Sequence, residues 1–388
     1  MSGKSARLRR ILSLDDLETA ARRFLPRPIF GYVSGAAETG ASLRGDREAF
    51  DEWSFVPRVL NDVSKRTTET TLFGKRYTVP FGIAPMGISA LVAYRGDLVL
   101  AEAARDANMP MIVSGSSLTR MEEIAATYPG AWFQAYVPGE PARIDALLER
   151  VAAAGFGTLV VTVDVSVSAN RETNIRTGFS TPLRPSLRLA YDGLIRPRWT
   201  VGTFLRTLTH GIPHFENSQA TRGAPIIAKN VMRDFGARDH LNWTHLAQIR
   251  RRWPGTLVVK GILDARDATL AADHGADGII VSNHGGRQLD GAIAPLRALE
   301  SIAQHSGGVK VMLDGGIRRG SDVLKALALG AEFVFVGRPF LYAAALGGTC
   351  GVNHAIDILK QEVRRNLGLV GVSSPGEITH DALARSAC

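Results

Sequence analysis

Short, nearly continuous apolar runs recur along the chain, each running into Gly, Ser, Asn or charged residues. They are FGIAPMG (81–87), MIVSGSS (111–117), AWFQAYV (131–137), GTLVVTVD (157–164), TLVVKGI (256–262), GIIVSNH (278–284), VKVMLDGG (309–316) and EFVFVGR (332–338). Apolarity without alternation predicts strands covered on both faces, as in a parallel sheet. Between most of them lie segments with helical apolar spacing: GDLVLAEAARDAN, SLTRMEEIAATY, EPARIDALLERVAAAG, DARDATLAADHGA, PLRALESIAQHSG and GSDVLKALALGA. Expected N-caps are Ser117 or Thr119 ahead of Glu122 and Glu123, Asp264 for the fifth helix and Ser321 for the seventh. Eight alternations of strand and helix predict an α/β chain folded as a (β/α)8 TIM barrel; an open doubly wound sheet does not need eight.

Two pieces lie outside the repeat. Residues 1 to about 80 read as a helical lead-in, followed by the short strand candidates in TTETTLFGKRYTVP, which are expected to plug the bottom of the barrel. The stretch 165–241 is inserted between strand 4 and the helix NWTHLAQIRRRW, within a single domain spanning 1–388. A loop of this length in a compact domain is usually functional, and its place at a strand's C-terminal end makes it a lid or docking element over the mouth.

Composition changes this picture little. Hydrophobic residues make up 45% and charged residues 21% of the chain, the proportions of an ordinary globular protein. The basic start is followed by the amphipathic ILSLDDLETAARRFL and not by a secretory leader, and no run approaches the length of a spanning helix. Cys350 and Cys388 have neither a CxxC partner nor a metal-type cluster nearby, so a reducing cytoplasm and no metal are expected. The net charge is +9, and the insert holds 11 Arg and Lys against 5 Asp and Glu. That excess is scattered among Pro and Gly without a recognition motif, so nucleic acid is not an expected partner.

The strand ends supply the chemistry, because the C-terminal face of such a barrel carries its active site. They bring Pro85, Met86, Gly87; Ser114 and Ser116; Gln134 and Tyr136; Thr162 and Asp164; Lys260; Ser282, Asn283, His284 and Arg287; Asp314, Gly315, Gly316 and Arg318; Gly337 and Arg338. Gln134/Tyr136 and Thr162/Asp164 are each two apart, so both members of a pair share a side. DGGIRRG and GRP are either two tight turns or a phosphate site, in which N–H groups of the turns meet a helix N-terminus and Arg318 and Arg338 add charge. Lys260 beneath the mouth suits stabilising negative charge on a flavin ring, or a Schiff base in an aldolase- or isomerase-type barrel. His284 with Asp164 as orienting carboxylate suits a general base. Arg171 and Arg287 suit the grip of a carboxylate, or are solvated surface charges.

These residues resemble the FMN-dependent L-2-hydroxy acid oxidases and dehydrogenases, a family that includes glycolate oxidase, L-lactate dehydrogenase and mandelate dehydrogenase. The resemblance runs from FGYVSGAAE through PFGIAPMG, FQAYV, VTVDV, VVKGI, IIVSNHGGRQLDG and LDGGIRRGSDVLKALALGA to VFVGRPFLY. It implies oxidation of a 2-hydroxy acid to the 2-keto acid with FMN as cofactor. His284 paired with Asp164 would take the proton, Arg171 and Arg287 would hold the carboxylate, and Tyr32 and Tyr136 would contact the substrate. FMN would meet Pro85, Met86, Gly87, Ser114, Gln134, Thr162, Lys260, Ser282, the set Asp314, Gly315, Gly316 and Arg318, and Gly337 with Arg338.

Within the family, Ser116 stands where glycolate oxidases carry a bulky aromatic, which leaves room for a mandelate-like side chain, although lactate also fits. Gly87 stands where several oxidases have alanine, which resembles the dehydrogenase branch, with a quinone or another carrier as acceptor in place of O2. YDGLIRPRWTVGTFLRTLTHGIPHF resembles a region that serves membrane association in relatives, so the insert is either a basic lid or a peripheral membrane contact. Gly31 departs from the acidic residue common before Tyr32. With no C-x-x-C-H in the chain, a form without haem is expected, assembled as a homo-oligomer of tetramer type.

Overall fold

The computed structural model describes residues 8–180, 182, 184, 186–229 and 238–386; Cys388 and part of the predicted insert lie outside them. All eight predicted strands form: β1 Phe81–Ile83, β2 Ile112–Ser114, β3 Trp132–Ala135, β4 Thr158–Thr162, β5 Thr256–Ile262, β6 Gly278–Val281, β7 Lys310–Asp314 and β8 Phe333–Val336. They pair in parallel in sequence order from β2 to β8, and β8 pairs with β1 through Val334 and Phe81. A parallel bridge between Ile83 and Met111 closes the ring, with the Ile83 N–H donating to the Pro110 carbonyl at 2.9 Å.

The barrel is filled rather than hollow. Ile112, Trp132, Val160, Val258, Ile280, Met312, Phe333 and Phe335 form one inner cluster, each at most 2% exposed. The short strand candidates form Thr70–Leu72 and Lys75–Tyr77, paired as a hairpin whose Leu72 and Tyr77 enter this cluster while the Phe73 ring lies 5.7 Å from Trp132. Trp132 and Phe333 open their strands, so the hairpin stops the N-terminal end. Each buried ring removes roughly 150–250 Å² from water, on the order of 4 to 6 kcal/mol of transfer free energy. With that end packed, the C-terminal face is left for chemistry.

Three of the expected caps test the local reading. Asp264 caps its helix, accepting from the Arg266 N–H at 2.8 Å. Neither Ser117 nor Thr119 caps Met121–Thr127; Asn217 of the insert accepts the Met121 N–H at 2.8 Å instead. Ser321 lies inside Gly320–Ala328, whose first N–H groups go to Glu362 and Asp322. In both corrections a distant or charged acceptor outcompetes the local hydroxyl, because charge-assisted bonds and long-range packing exceed the worth of a serine cap.

The lead-in helix Leu14–Phe24 carries a capping box of Ser13 and Asp16 and packs on the long helix Arg338–Val370, which kinks at Gly348. The insert divides in two. Residues 165–180, with helix Glu172–Thr177, line the barrel mouth, whereas helix Leu187–Leu194 and the turns to Leu208 lie further out. The outer part is pinned by the Trp199 indole N–H on the Leu91 carbonyl (3.0 Å) and by Arg150 on the carbonyls of Glu216 and Gln219. Among the described residues no helix is long and apolar enough to cross a membrane.

Candidate active site

Strand β6 delivers a strained turn. His284, Gly285 and Gly286 have φ of 60°, 63° and 70°, three successive left-handed residues. Glycine adopts this region freely, and His is among the few side chains found there with any frequency. A Cβ on Gly286 would lie 2.5 Å from the Leu43 nitrogen, so that position admits only glycine. The turn is held by the His284 N–H on Ser282 Oγ (3.0 Å), the Gly286 N–H on Asn283 Oδ1 (3.0 Å) and Asn283 Nδ2 on Asp46 Oδ1 (2.6 Å). Its product is the aim of His284, whose Nδ1 stands 3.1 and 3.3 Å from the two Asp164 oxygens. That pairing commits Nδ1 and leaves Nε2 for the cavity that His284 lines.

Burial holds the His284 imidazole below its ordinary pKa although Asp164 pulls the other way, so the ring is neutral near pH 7. For Asp164, burial pushes the carboxyl up, but His284 and Lys260 outweigh it and keep the group ionised. Lys260, 3% exposed, is disfavoured by burial, yet Asp314 at 3.1 Å and Asp164 keep it an ammonium, with Ser282 Oγ at 2.9 Å. Burial raises Tyr136, which remains a phenol.

These groups surround a cavity of 680 Å³ at the barrel mouth. Pro85, Met86 and Gly87 after β1, Tyr136 after β3, Thr162 of β4, Lys260 of β5 and His284 and Arg287 after β6 all line it. So do Asp314, Gly315, Gly316 and Arg318 after β7, Gly337 and Arg338 after β8, Tyr32 from helix Arg27–Ser34 and Arg171 from the insert. Ser114, Gln134 and Ser282 lie outside that lining, fully buried, and Asp164 stands outside it too, behind His284. Ser114 Oγ and the Gly115 N–H both donate to Gln134 Oε1, which leaves Gln134 Nε2 buried without a partner. Thr162 Oγ1 and Asp314 Oδ1 are likewise buried and unpartnered. An orphaned amide donor and an orphaned hydroxyl beside an ammonium match the carbonyls and ring nitrogens of a flavin, since such groups are rarely left unsatisfied.

The turns of DGGIRRG and GRP meet at one end of this cavity, where Gly315, Gly316, Arg318, Gly337 and Arg338 line it together. The N–H groups of Arg318, Arg319 and Gly320 are already taken by Asp322 and Glu362, so these three at the start of helix Gly320–Ala328 are not offered to an anion. The available terminus is that of Arg338–Val370, whose cap residue Gly337 faces the cavity without a side-chain cap. Gly315 and Gly316, with φ of 101° and 75°, complete a backbone cradle beside Arg318 and Arg338.

Two arginines share the substrate side. Arg287 sends Nη1 to the carbonyls of Tyr32 and Gly35, both at 2.8 Å, and covers the Tyr32 ring at 5.0 Å. Arg338 reaches Val33 and Gly35, so two cations close the C-terminal end of helix Arg27–Ser34, where its dipole favours them. Arg171 bonds Gln288 Oε1 at 2.7 Å and the Arg287 carbonyl at 3.2 Å. Burial and the like charge of Arg171 push Arg287 down to about 9, which an incoming anion would relieve.

Sequence reasoning missed Asp46, Phe179 and Gln288. Phe179 packs on Tyr32 with ring centroids 4.6 Å apart, and Gln288 Nε2 holds the Asp164 carbonyl at 3.1 Å. The signal for Asp46 was present: Ser42, Asp46, Ala49 and Phe50 form one buried stripe, and a carboxylate at a core-facing helical position needs a reason.

The sequence profile of the FMN-dependent dehydrogenases matches residues 21–385. The chain is 37% identical to (S)-mandelate dehydrogenase of Pseudomonas putida, over 96% of this chain and 94% of that one. It is 40% identical to L-lactate dehydrogenase of Ectopseudomonas mendocina (strain ymp), over 95% and 98% respectively. The crystal structure of the monotopic membrane protein (S)-mandelate dehydrogenase superposes with a TM-score of 0.90 at 35% identity, covering 97% of this chain and 100% of that one. The chain therefore belongs to the FMN-dependent dehydrogenase family.

Proposed function

We propose that the protein oxidises an L-2-hydroxy acid of mandelate or lactate type to the 2-keto acid. The observation that carries this reading is the convergence of a neutral, carboxylate-oriented His284 and two arginines on one cavity. FMN, the family's cofactor, accepts the two electrons when bound. Gln134, Ser114, Thr162, Lys260 and Ser282 suit its ring, and Pro85, Met86 and Gly87 its open side. Gly315, Gly316, Arg318, Gly337 and Arg338 suit its phosphate, with Asp314 fixing Lys260.

His284 Nε2 takes a proton from the substrate, and Asp164 stabilises the imidazolium that results. Arg171 and Arg287 hold the carboxylate, which fixes the C–H and O–H relative to the base. Tyr32 closes over the carboxylate, and Tyr136, kept protonated, donates to the substrate oxygen. Gly87 and Ser116 both line the cavity, and their small size suits a bulky substituent on that side.

The acceptor side is read as a quinone at a membrane surface. Leu187, Tyr191 and Leu194 are 93%, 62% and 77% exposed on one stripe of their helix, beside the basic residues of the insert. The monotopic relative supports a peripheral placement.

The test is the visible spectrum of the purified protein before and after anaerobic addition of L-mandelate or L-lactate. A flavin band that bleaches with one of them is expected and selects the substrate; a band that bleaches with neither overturns the reading. Readmitted O2 that restores the band as fast as a soluble quinone would make the protein an oxidase.

A further inference from the structure

Helix Leu187–Leu194 is inverted. Leu187, Tyr191 and Leu194 face outward, while its one carboxylate, Asp192, is turned inward and only 8% exposed. A surface helix ordinarily does the reverse. The inward face lines a second cavity of 420 Å³, bounded on its other side by helix Arg27–Ser34. Arg22 and Arg27 stand at its edge, Leu25 and Phe30 supply apolar wall, Thr173 and Thr177 add hydroxyl residues, and Asp192 and Arg196 border it from the insert. Asp192 Oδ2 and Arg196 Nε are both buried without a hydrogen-bond partner. An unpartnered buried donor and an unpartnered buried acceptor on two residues that line one cavity cost about 1 to 3 kcal/mol each unless a ligand answers them.

The position narrows the ligand. Helix Arg27–Ser34 turns Phe30, Gly31 and Ser34 to this cavity and Tyr32 and Val33 to the active site, so the two cavities lie back to back across a single helix, roughly 10 Å thick. The exposed apolar stripe of residues 187, 191 and 194 lies on the face of helix Leu187–Leu194 that points away from the cavity. A ligand here therefore lies between the helix that carries the apolar outer face and the helix that borders the oxidation site.

The donor set narrows it further. A phosphate would bring its charge against the Asp192 carboxylate. A neutral ring with a carbonyl to accept from Arg196 Nε and, once reduced, a hydroxyl to donate to Asp192 Oδ2 answers both orphaned atoms, and its face can rest on Phe30.

We propose that this cavity binds the ring of a lipophilic quinone, the acceptor of the electrons taken from the hydroxy acid. The proposal rests on the dehydrogenase reading above. The balance is complete: the hydroxy acid loses two electrons and two protons to become the keto acid, and the quinone gains two electrons and two protons to become the quinol. The electrons cross helix Arg27–Ser34, and the protons exchange with solvent at the arginine edge.

The test uses the holoenzyme and separates the two half-reactions. An azido-substituted ubiquinone, photolysed with the protein in the absence of substrate, should label the segments 22–34 and 173–196 and be displaced by excess ubiquinone carrying one isoprene unit. Asp192→Leu and Arg196→Met remove groups that have no partner through the atoms in question, so neither leaves a new buried orphan. Each should lower labelling and slow reoxidation of the reduced flavin by the short-chain ubiquinone about tenfold or more, the worth of one buried hydrogen bond. Asp192→Asn, which keeps an acceptor oxygen, should recover part of the labelling. Reduction of the flavin by hydroxy acid in the same variants reports their folding, and its absence in the wild type would condemn the hydroxy acid reading instead. Labelling at other segments, wild-type reoxidation in both variants, or displacement of the probe by anionic phospholipid vesicles but not by ubiquinone would overturn the quinone site.

Discussion

In the turn after β6, Ser282, Asn283 and His284 are buried or nearly so and each polar side chain has a named partner. On helix Leu187–Leu194, three large apolar side chains face outward and the buried carboxylate lacks a partner on one oxygen. The turn spends left-handed backbone at a non-glycine residue, a strain of order 1 to 3 kcal/mol, and offsets it with hydrogen bonds inside the chain. The helix leaves its unfavourable terms standing. The contrast teaches where each region finds its completion: the turn is finished by its own fold and so pre-organises His284, whereas the helix is finished by something outside the chain.

The sharpest break of the first half of this comparison is His284→Asn. Asparagine tolerates positive φ, so the turn and its bonds to Ser282 and Asp164 survive while the base is lost. Flavin reduction by the hydroxy acid, followed anaerobically by stopped-flow absorbance, should slow by about 10² to 10⁴-fold, with the flavin band retained. In the unsubstituted protein the sign of the pH dependence follows from burial: the imidazole sits below its ordinary 6.5, so reduction should stay fast at pH 6.5 and fall only as more acid conditions protonate His284. A persistent wild-type rate in the variant would remove His284 from the reaction.

The second half breaks on the surface. Replacing Leu187, Tyr191 and Leu194 together by serine should reduce cosedimentation with anionic vesicles about tenfold or more, because each side chain would lose on the order of 1 kcal/mol of apolar burial in the interface. The unfolding temperature should hardly move, since these side chains are mostly exposed in the folded chain. Equal cosedimentation of the variant and the parent protein would mean that this face has another partner.

How much of this was legible differed between the regions. All eight strands could be read because each is a short apolar run bounded by turn residues, and most of the strand-end residues do line the mouth. The caps at Asn217 and Glu362 could not be read, because they come from residues 96 positions and 42 positions away. Which helix start stands open beside DGGIRRG and GRP was not legible either, because it depends on Asp322 folding back onto the N–H groups of Arg318 and Arg319. The inversion of Leu187–Leu194 was hidden because amphipathic spacing states that a helix has two faces and not which one is inward.

Asp46 sharpens the account of the β6 turn. Its Oδ1 accepts from Asn283 at 2.6 Å, Oδ2 is buried and unpartnered, and a Cβ on Gly315 would stand 3.4 Å from it, so one carboxyl braces both the histidine turn and the glycine cradle. Burial, opposed by Asn283 and Arg338, pushes this carboxyl from 3.8 up to about 7. A carboxyl that binds its proton more tightly when folded releases stability as pH rises from its unfolded value through its folded one, because the unfolded chain ionises first. Asp46→Asn keeps the acceptor for Asn283 and cannot ionise. Chemical denaturation should therefore show the variant ahead of the parent protein by about 1 kcal/mol or more at pH 8 and show the gap closing toward pH 4. A gap independent of pH would mean that Asp46 is ionised in the fold, drawn down by Arg338 and Arg318 more strongly than burial pushes it up.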